Sequence, residues 1–187
     1  MTVSSPKSTP PHNLQLVIDF VNTVDFEEGE DRADTPAHLA TWLHEQGLRD
    51  AGAPTLGTGE FQHAIDLRES LRTVLLSHNG GEQEPGEAAR RLEEVAERGQ
   101  LSVRFGEGDA IEIAPRVEGF DGVLARLLVP VTHAAMDGSW ARVKACVADD
   151  CRWAFWDSSR NRSGRWCDMA VCGNREKVRT YRSRRSA

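Results

Sequence analysis

Four cysteines constrain this chain more than any other feature. They stand at positions 146, 151, 167 and 172, and the rest of the 187 residues contain none. Cys146-x4-Cys151 and Cys167-x4-Cys172 are matched pairs separated by fifteen residues. Two short-spaced pairs let four thiolates converge tetrahedrally, at about 2.3 Å from a common ion. Soft ligation with no histidine nearby points to one structural Zn²⁺ per chain in a closed site. An iron–sulfur cluster uses the same four thiolates, so counting does not separate the two. Buried free thiols, or disulfides in an exported protein, are the bland alternative. Four cysteines leave no open position for a catalytic water, and the x4 gap is a poor match for a redox dithiol.

Charge is divided along the chain. Residues 142–187 carry twelve Lys/Arg against five Asp/Glu, whereas residues 1–141 carry eleven against twenty-four. That division suggests a basic, nucleic-acid-facing appendage on an acidic body. After Cys172, Arg175, Arg179 and Arg182 recur at four and three and share one face of a helix, with Lys177, Arg184 and Arg185 thickening it. Arg160, Arg162 and Arg165 form a second basic cluster between the cysteine pairs. Asn174 is a base contact or a helix cap, with capping the simpler role. Trp153, Trp156 and Trp166 supply a small module with a core, or else stack on unpaired bases.

Upstream, residues 1–12 read as a disordered tail, polar and rich in Pro and Ser, with no signal-peptide pattern. No apolar run approaches the roughly 18 residues a membrane span needs, so a cytoplasmic protein without membrane contact is expected. Leu14–Phe26 fits a strand or a helix equally, and Glu27–Asp34 reads as a solvated acidic loop. Thr35-Pro36 starts a helix that Gly47 ends, a longer helix runs from about Glu60 to His78 and stops at Asn79-Gly80-Gly81, and residues 87–98 form a charged one. LSVRF and AIEIAP alternate around GEGD, a hairpin with a four-residue loop. Phe120 to Ala135 repeats at three and four, a buried helix that Pro130 should bend. The fold class is therefore α+β: a mainly helical N-terminal domain with a small β-hairpin, plus a small C-terminal zinc-finger module ending in a basic helix. The boundaries are 1–12 for the tail, 13–137 for the body and 138–187 for the finger.

Trp166-Cys167-x4-Cys172-Gly173-Asn174-Arg175-x-Lys177 resembles the CGNR-type zinc finger, and Trp140, Cys146, Cys151, Phe155, Asp157 and Ser159-Arg160-Asn161 agree with it. Leu16-x-x-Asp19-Phe20-x-Asn22-Thr23 and Leu39-x-x-Trp42-Leu43 resemble the ABATE domain that such fingers accompany, a domain associated with stress-induced transcription regulation. The resemblance implies a zinc-binding bacterial regulator that binds duplex DNA through the finger, with a small-molecule effector suspected for the body. From the residues, Asp19, Asn22, Thr23, Trp42 and Arg68 are candidates for that effector pocket, although Asn22 and Thr23 equally suit a cap. A homodimer is compatible with this reading. The alternative is an RNA- or protein-interaction module. Six scattered histidines form no catalytic spacing, so an enzyme is not expected.

Overall fold

The computed structural model describes residues 9–80 and 85–185. Its fold is α+β, mostly helical with three small antiparallel strand pairs. Helix α1 spans Leu14–Val21, and strands β1 (Val24–Asp25) and β2 (Glu30–Asp31) follow it. Helices α2 (Pro36–Glu45), α3 (Thr58–Ser77) and α4 (Gly86–Arg98) come next. Strands β3 (Ser102–Phe105) and β4 (Ile111–Ala114) lead to α5 (Phe120–Met136). A 3₁₀ turn (Trp140–Arg142), β5 (Val143–Ala145), β6 (Ala154–Trp156), a π-helical turn (Met169–Gly173) and α6 (Asn174–Arg185) complete the chain.

The ambiguous stretch at 14–26 is helical first. Leu14, Leu16, Val17, Ile18, Phe20 and Val21 are all buried, and only Gln15 and Asp19 look outward. These two lie four apart and are joined by a 2.8 Å hydrogen bond, so one narrow polar stripe faces solvent. Alternation would have put Gln15 and Asp19 on one face with Val17 and Val21, which no half-buried strand tolerates. Helix α2 starts as its sequence predicts: the Thr35 hydroxyl accepts from His38 N–H, Pro36 opens the helix, and Gly47 takes φ +68° beyond its end.

Helix α3 is the axis of the body. It packs on α4, α1 and β5 and buries Ala64, Leu67, Leu71 and Leu75 within one core that also takes Leu124 and Leu127 from α5 and Val143, Ala145 and Ala154 from the β5–β6 ladder. Helix α5 passes through Pro130 without interruption. The β3–β4 hairpin forms as expected, but its loop is Gly106–Ala110, one residue longer, closed by Gly106 N–H to Ala110 C=O at 2.9 Å. One face of that hairpin leaves Val103, Phe105 and Ile111 exposed.

Two expectations need correction. The acidic stretch 27–34 is not wholly solvated: it closes the β1–β2 ladder, Ala33 is buried, and Asp31 turns inward to a buried arginine. Of the expected disordered tail, residues 1–8 lie outside the described residues. Residues 9–12 are tied down, since Pro11 C=O accepts from Leu14 N–H and the His12 ring meets Asp137 at 2.7 Å. Together with the Ser139 groups, that contact holds the Asp137 carboxyl down at about 2. Gly81, read as part of the stop after α3, also lies outside the described residues.

Candidate metal centre and its docking on the body

Two chain reversals bring the cysteines together. β5 leads straight into Cys146, whose N–H donates to Trp153 C=O at 2.9 Å and so extends the β5–β6 ladder by one rung. Between them the chain turns at Ala148–Arg152, with Arg152 at φ +51° and Cys151 N–H donating to Ala148 C=O at 3.0 Å. The second pair straddles the π turn. The Asp168 carboxylate caps it by accepting from Ala170 and Val171 N–H at 2.7 and 3.1 Å. Gly173 N–H then donates to Asp168 C=O at 3.1 Å. This wide turn carries Cys172 back toward Cys167.

The four Sγ atoms lie within 4.8 Å of one another, with Cys151–Cys167 at 3.6 Å and Cys167–Cys172 at 3.7 Å. A tetrahedron with ~2.3 Å zinc–sulfur bonds has edges of about 3.8 Å. The donor set and its spacing therefore fit one zinc ion. Electrostatics agree. The neighbouring thiols of Cys151 and Cys167, aided by Ala148 and Cys167 N–H groups, hold the Cys146 thiol down at about 2. The thiolate so formed pushes Cys151 up to about 12 and Cys167 further still. Four thiolates this close repel one another, and a divalent cation removes the conflict.

The tetrapeptide after the second pair has a structural reason at each residue. Cys172 is a ligand. Gly173 is buried and helical, and a Cβ there would lie 2.5 Å from Met169 Sδ. Asn174 donates from Nδ2 to Ala170 C=O at 3.0 Å, tying the start of α6 to the turn. Arg175 donates to Cys172 Sγ at 3.1 Å and makes two 2.8 Å bonds to the Glu27 carboxylate. Those contacts raise its already high pKa, the Glu27 bond most of all. Arg175 thus supports a metal ligand and fastens the finger to the β1–β2 turn of the body.

A second buried node orders the loop between the cysteine pairs. Lys144 and Asp157 are almost wholly buried and paired at 2.7 Å. Lys144 Nζ also donates to the carbonyls of Arg162 and Gly164, and Asp157 accepts from Ser159 and Gly164 N–H. Burial opposes ionisation of Asp157, but the Lys144 ammonium and these N–H groups prevail and hold its carboxyl at about 2.

Body and finger are joined by side chains of the body. Asn22 donates to Ala154 C=O at 2.9 Å and accepts from Ala154 N–H at 2.7 Å. Arg72 donates to Val21 C=O at 2.6 Å and to Arg152 C=O at 2.9 Å, with burial lowering its pKa despite the Glu69 carboxylate. His78 Nδ1 meets Val143 C=O at 2.8 Å, and its ring stands edge-on to Trp140. Asn79 donates to Ala145 and Arg165 carbonyls.

The five candidate effector residues do not converge on one pocket. Trp42 is in the core against Phe20, with ring centroids 5.4 Å apart. Thr23 donates to Phe20 C=O and accepts from Arg68, which is paired with Asp31 at 2.9 Å. Asn22 is a docking residue. Asp19 and Asn22 line a common cavity, a groove of about 560 Å³ between α1 and the finger. Polar residues set in an apolar run drew the prediction, but here they satisfy buried backbone and a buried guanidinium. Arg72, Lys144, His78 and Asn79 escaped sequence reasoning, because nothing local marks a cation or amide whose partner lies sixty or more residues away, or across a loop.

Among the basic residues, Arg160, Arg162, Arg165, Lys177, Arg179, Arg182 and Arg184 are exposed. Arg165 carries its guanidinium 5.9 Å from the Trp166 ring, and Arg179 pairs with Glu176 one turn away. Arg175, Arg179 and Arg182 border one shallow surface of α6 with Val178, as their spacing predicts. Arg185 closes the helix, and its side chain lies outside the described residues. No helix is long and apolar enough to cross a membrane among the described residues.

Two family matches cover nearly the whole chain. Residues 14–138 match ABATE, described as "Putative stress-induced transcription regulator", and residues 142–185 match the CGNR zinc finger. Neither is an enzyme family, and no curated protein matches the chain. With four clustered cysteines inside the second match, one structural zinc ion follows. The chain belongs to the ABATE family and ends in a CGNR zinc finger.

Proposed function

We propose that the protein is a transcription regulator whose zinc finger binds duplex DNA, with residues 13–137 as the regulatory body and 138–187 as the DNA-binding module. The observation that carries this reading is α6. It leaves a metal-anchored turn, it is charged or polar over most of its length, and it keeps Lys177, Arg179, Arg182 and Arg184 exposed. Its apolar Val178 and Tyr181 are also exposed, so α6 is not a core element. A helix of this size fits the major groove. Arg160, Arg162 and Arg165 on the ordered loop suit phosphate contacts. Arg175 is reassigned: held by Glu27 and Cys172, it positions α6 rather than reading a base. An effector would act from the groove beside Asp19, and the setting is the cytoplasm.

Selection from a random duplex pool with zinc-loaded protein tests this. Enrichment of a sequence, with Lys177→Ala plus Arg179→Ala weakening binding at least tenfold, is the expected outcome. About five phosphate contacts predict a loss on the order of 10²–10³-fold between 50 and 200 mM salt. Preference for single strands or RNA in competition, or salt-independent binding, defeats the DNA reading.

A further inference from the structure

The groove between α1 and the finger sets aromatic rings against polar side chains. Its apolar wall is aromatic, formed by Trp153, Phe155, Trp156 and Trp166 of the finger. Its polar wall is the outward stripe of α1, Gln15 and Asp19. At about 560 Å³ it suits a small organic molecule. The charge inside it is one-sided. Asp157 in the wall is neutralised by Lys144, whereas Asp19 is half-exposed, bonded to Gln15, and forms no ion pair among the described residues. Cys167, one of the four clustered cysteines, is also in the wall. Indole faces attract cations through the ring quadrupole, and Arg165 already lies beside Trp166 in this way. With Asp157 committed to Lys144 and Asn22 to Ala154, Asp19 is the one uncommitted carboxylate of the described lining, fewer charged oxygens than a hard metal ion takes. Among the described residues no Lys or Arg lines the groove, so an anion finds no charged partner in its wall.

We propose that this groove is the effector site, and that it takes an organic monocation with apolar substituents, such as a quaternary ammonium, with Asp19 as counter-ion and indole faces as walls. The proposal rests on the regulator reading for its consequence. Because α1 belongs to the body and the tryptophans to the finger, a ligand held between them contacts both and stabilises their docked arrangement. The same loop carries Arg160, Arg162 and Arg165, so occupation alters DNA affinity.

The test is calorimetric titration of the zinc-loaded full chain with benzyltrimethylammonium, and with benzylsulfonate as a charge-reversed control of similar size. Saturable cation binding with no anion binding is expected. Asp19→Asn should weaken it at least tenfold. Gln15→Lys, which places an ammonium one turn from Asp19 at an exposed position, should do the same without disturbing the core. The five tryptophans give an internal readout. Indole N–H resonances of Trp153, Trp156 and Trp166 should shift on titration, while those of buried Trp42 and of Trp140 stay still. Equal binding of both probes, no binding at 10 mM, or indifference to both substitutions overturns the groove assignment. Cation binding that leaves the affinity for a selected duplex unchanged overturns its regulatory consequence. Absence of any DNA binding sinks the regulator reading instead, and calorimetry still decides the groove.

Discussion

Lys144 and Asp157 show how differently a residue reads before and after folding. In the sequence Lys144 is one of twelve cations in a basic tail; in the structure its side chain is 4% exposed and paired with Asp157. It gathers a carboxylate and two carbonyls at the centre of the 157–164 loop. Gly164 belongs to the same arrangement, since a Cβ there would lie 2.8 Å from Asp157 Oδ1. Removing one partner of such a pair leaves a buried uncompensated charge. Asp157→Asn should therefore cost about 3–5 kcal/mol, while replacing both residues by apolar ones of similar volume costs much less. Denaturant midpoints of the two variants check this. Equal losses would mean that the loop, not the charge, sets the cost. Arg175 is the converse case. Its helical spacing with Arg179 and Arg182 was legible, but the Glu27 carboxylate that engages it stands 148 residues away.

At the scale of elements, local signals carried most of the fold. Thr35, Pro36 and Gly47 marked α2 because caps and left-handed turns depend on the residue at one position. Helix α1 was also legible in principle, through Gln15 and Asp19 at helical spacing; the apolar run around them obscured it. Most of the joint was not legible, because its hydrogen bonds run chiefly from body side chains to backbone of the finger. It makes two predictions. Asn22→Ala orphans the buried N–H and C=O of Ala154, at roughly 1–3 kcal/mol for each unsatisfied group, and hydrogen exchange at β6 should rise. The second concerns pH. Burial, and then the Lys144 charge, lower the pKa of His78, although its bond to Val143 C=O opposes this. The unfolded chain takes up this proton more readily than the folded one. The joint's stability is thus fully present above the unfolded value of about 6.5 and falls as pH drops below it. Unfolding free energies at pH 7.5 and 5.5 should differ less in His78→Gln than in the wild type, zinc release being common to both.

Across the whole molecule, hydrophobic packing does not follow the boundary between the two family matches. Val143, Ala145 and Ala154 of the finger lie in the same core as α1, α3 and α5, whereas Cys146, Cys151 and Cys172 gather a small cluster of their own with Ala148. The finger thus has two supports, one shared with the body and one that depends on the ion. Helix α6 draws chiefly on the second, with the Arg175–Glu27 pair as its tie to the body: it has twelve residues, most of them charged or polar, and it packs chiefly on the π turn. An isolated helix of about this length is marginal in water. Zinc removal should therefore act in a graded way. A chelator should release amide protection across 146–152, 157–173 and α6, lower helical circular dichroism by about that one helix, and leave α1, α3 and α5 protected. The β5–β6 ladder should respond least within the finger, since Asn22, Arg72 and the shared core still hold it. Residue-resolved hydrogen exchange with and without chelator distinguishes the cases. Cooperative loss of α3 together with α6 would show that the two supports are one, and an α6 that stays protected without metal would mean that the cysteines do not anchor it.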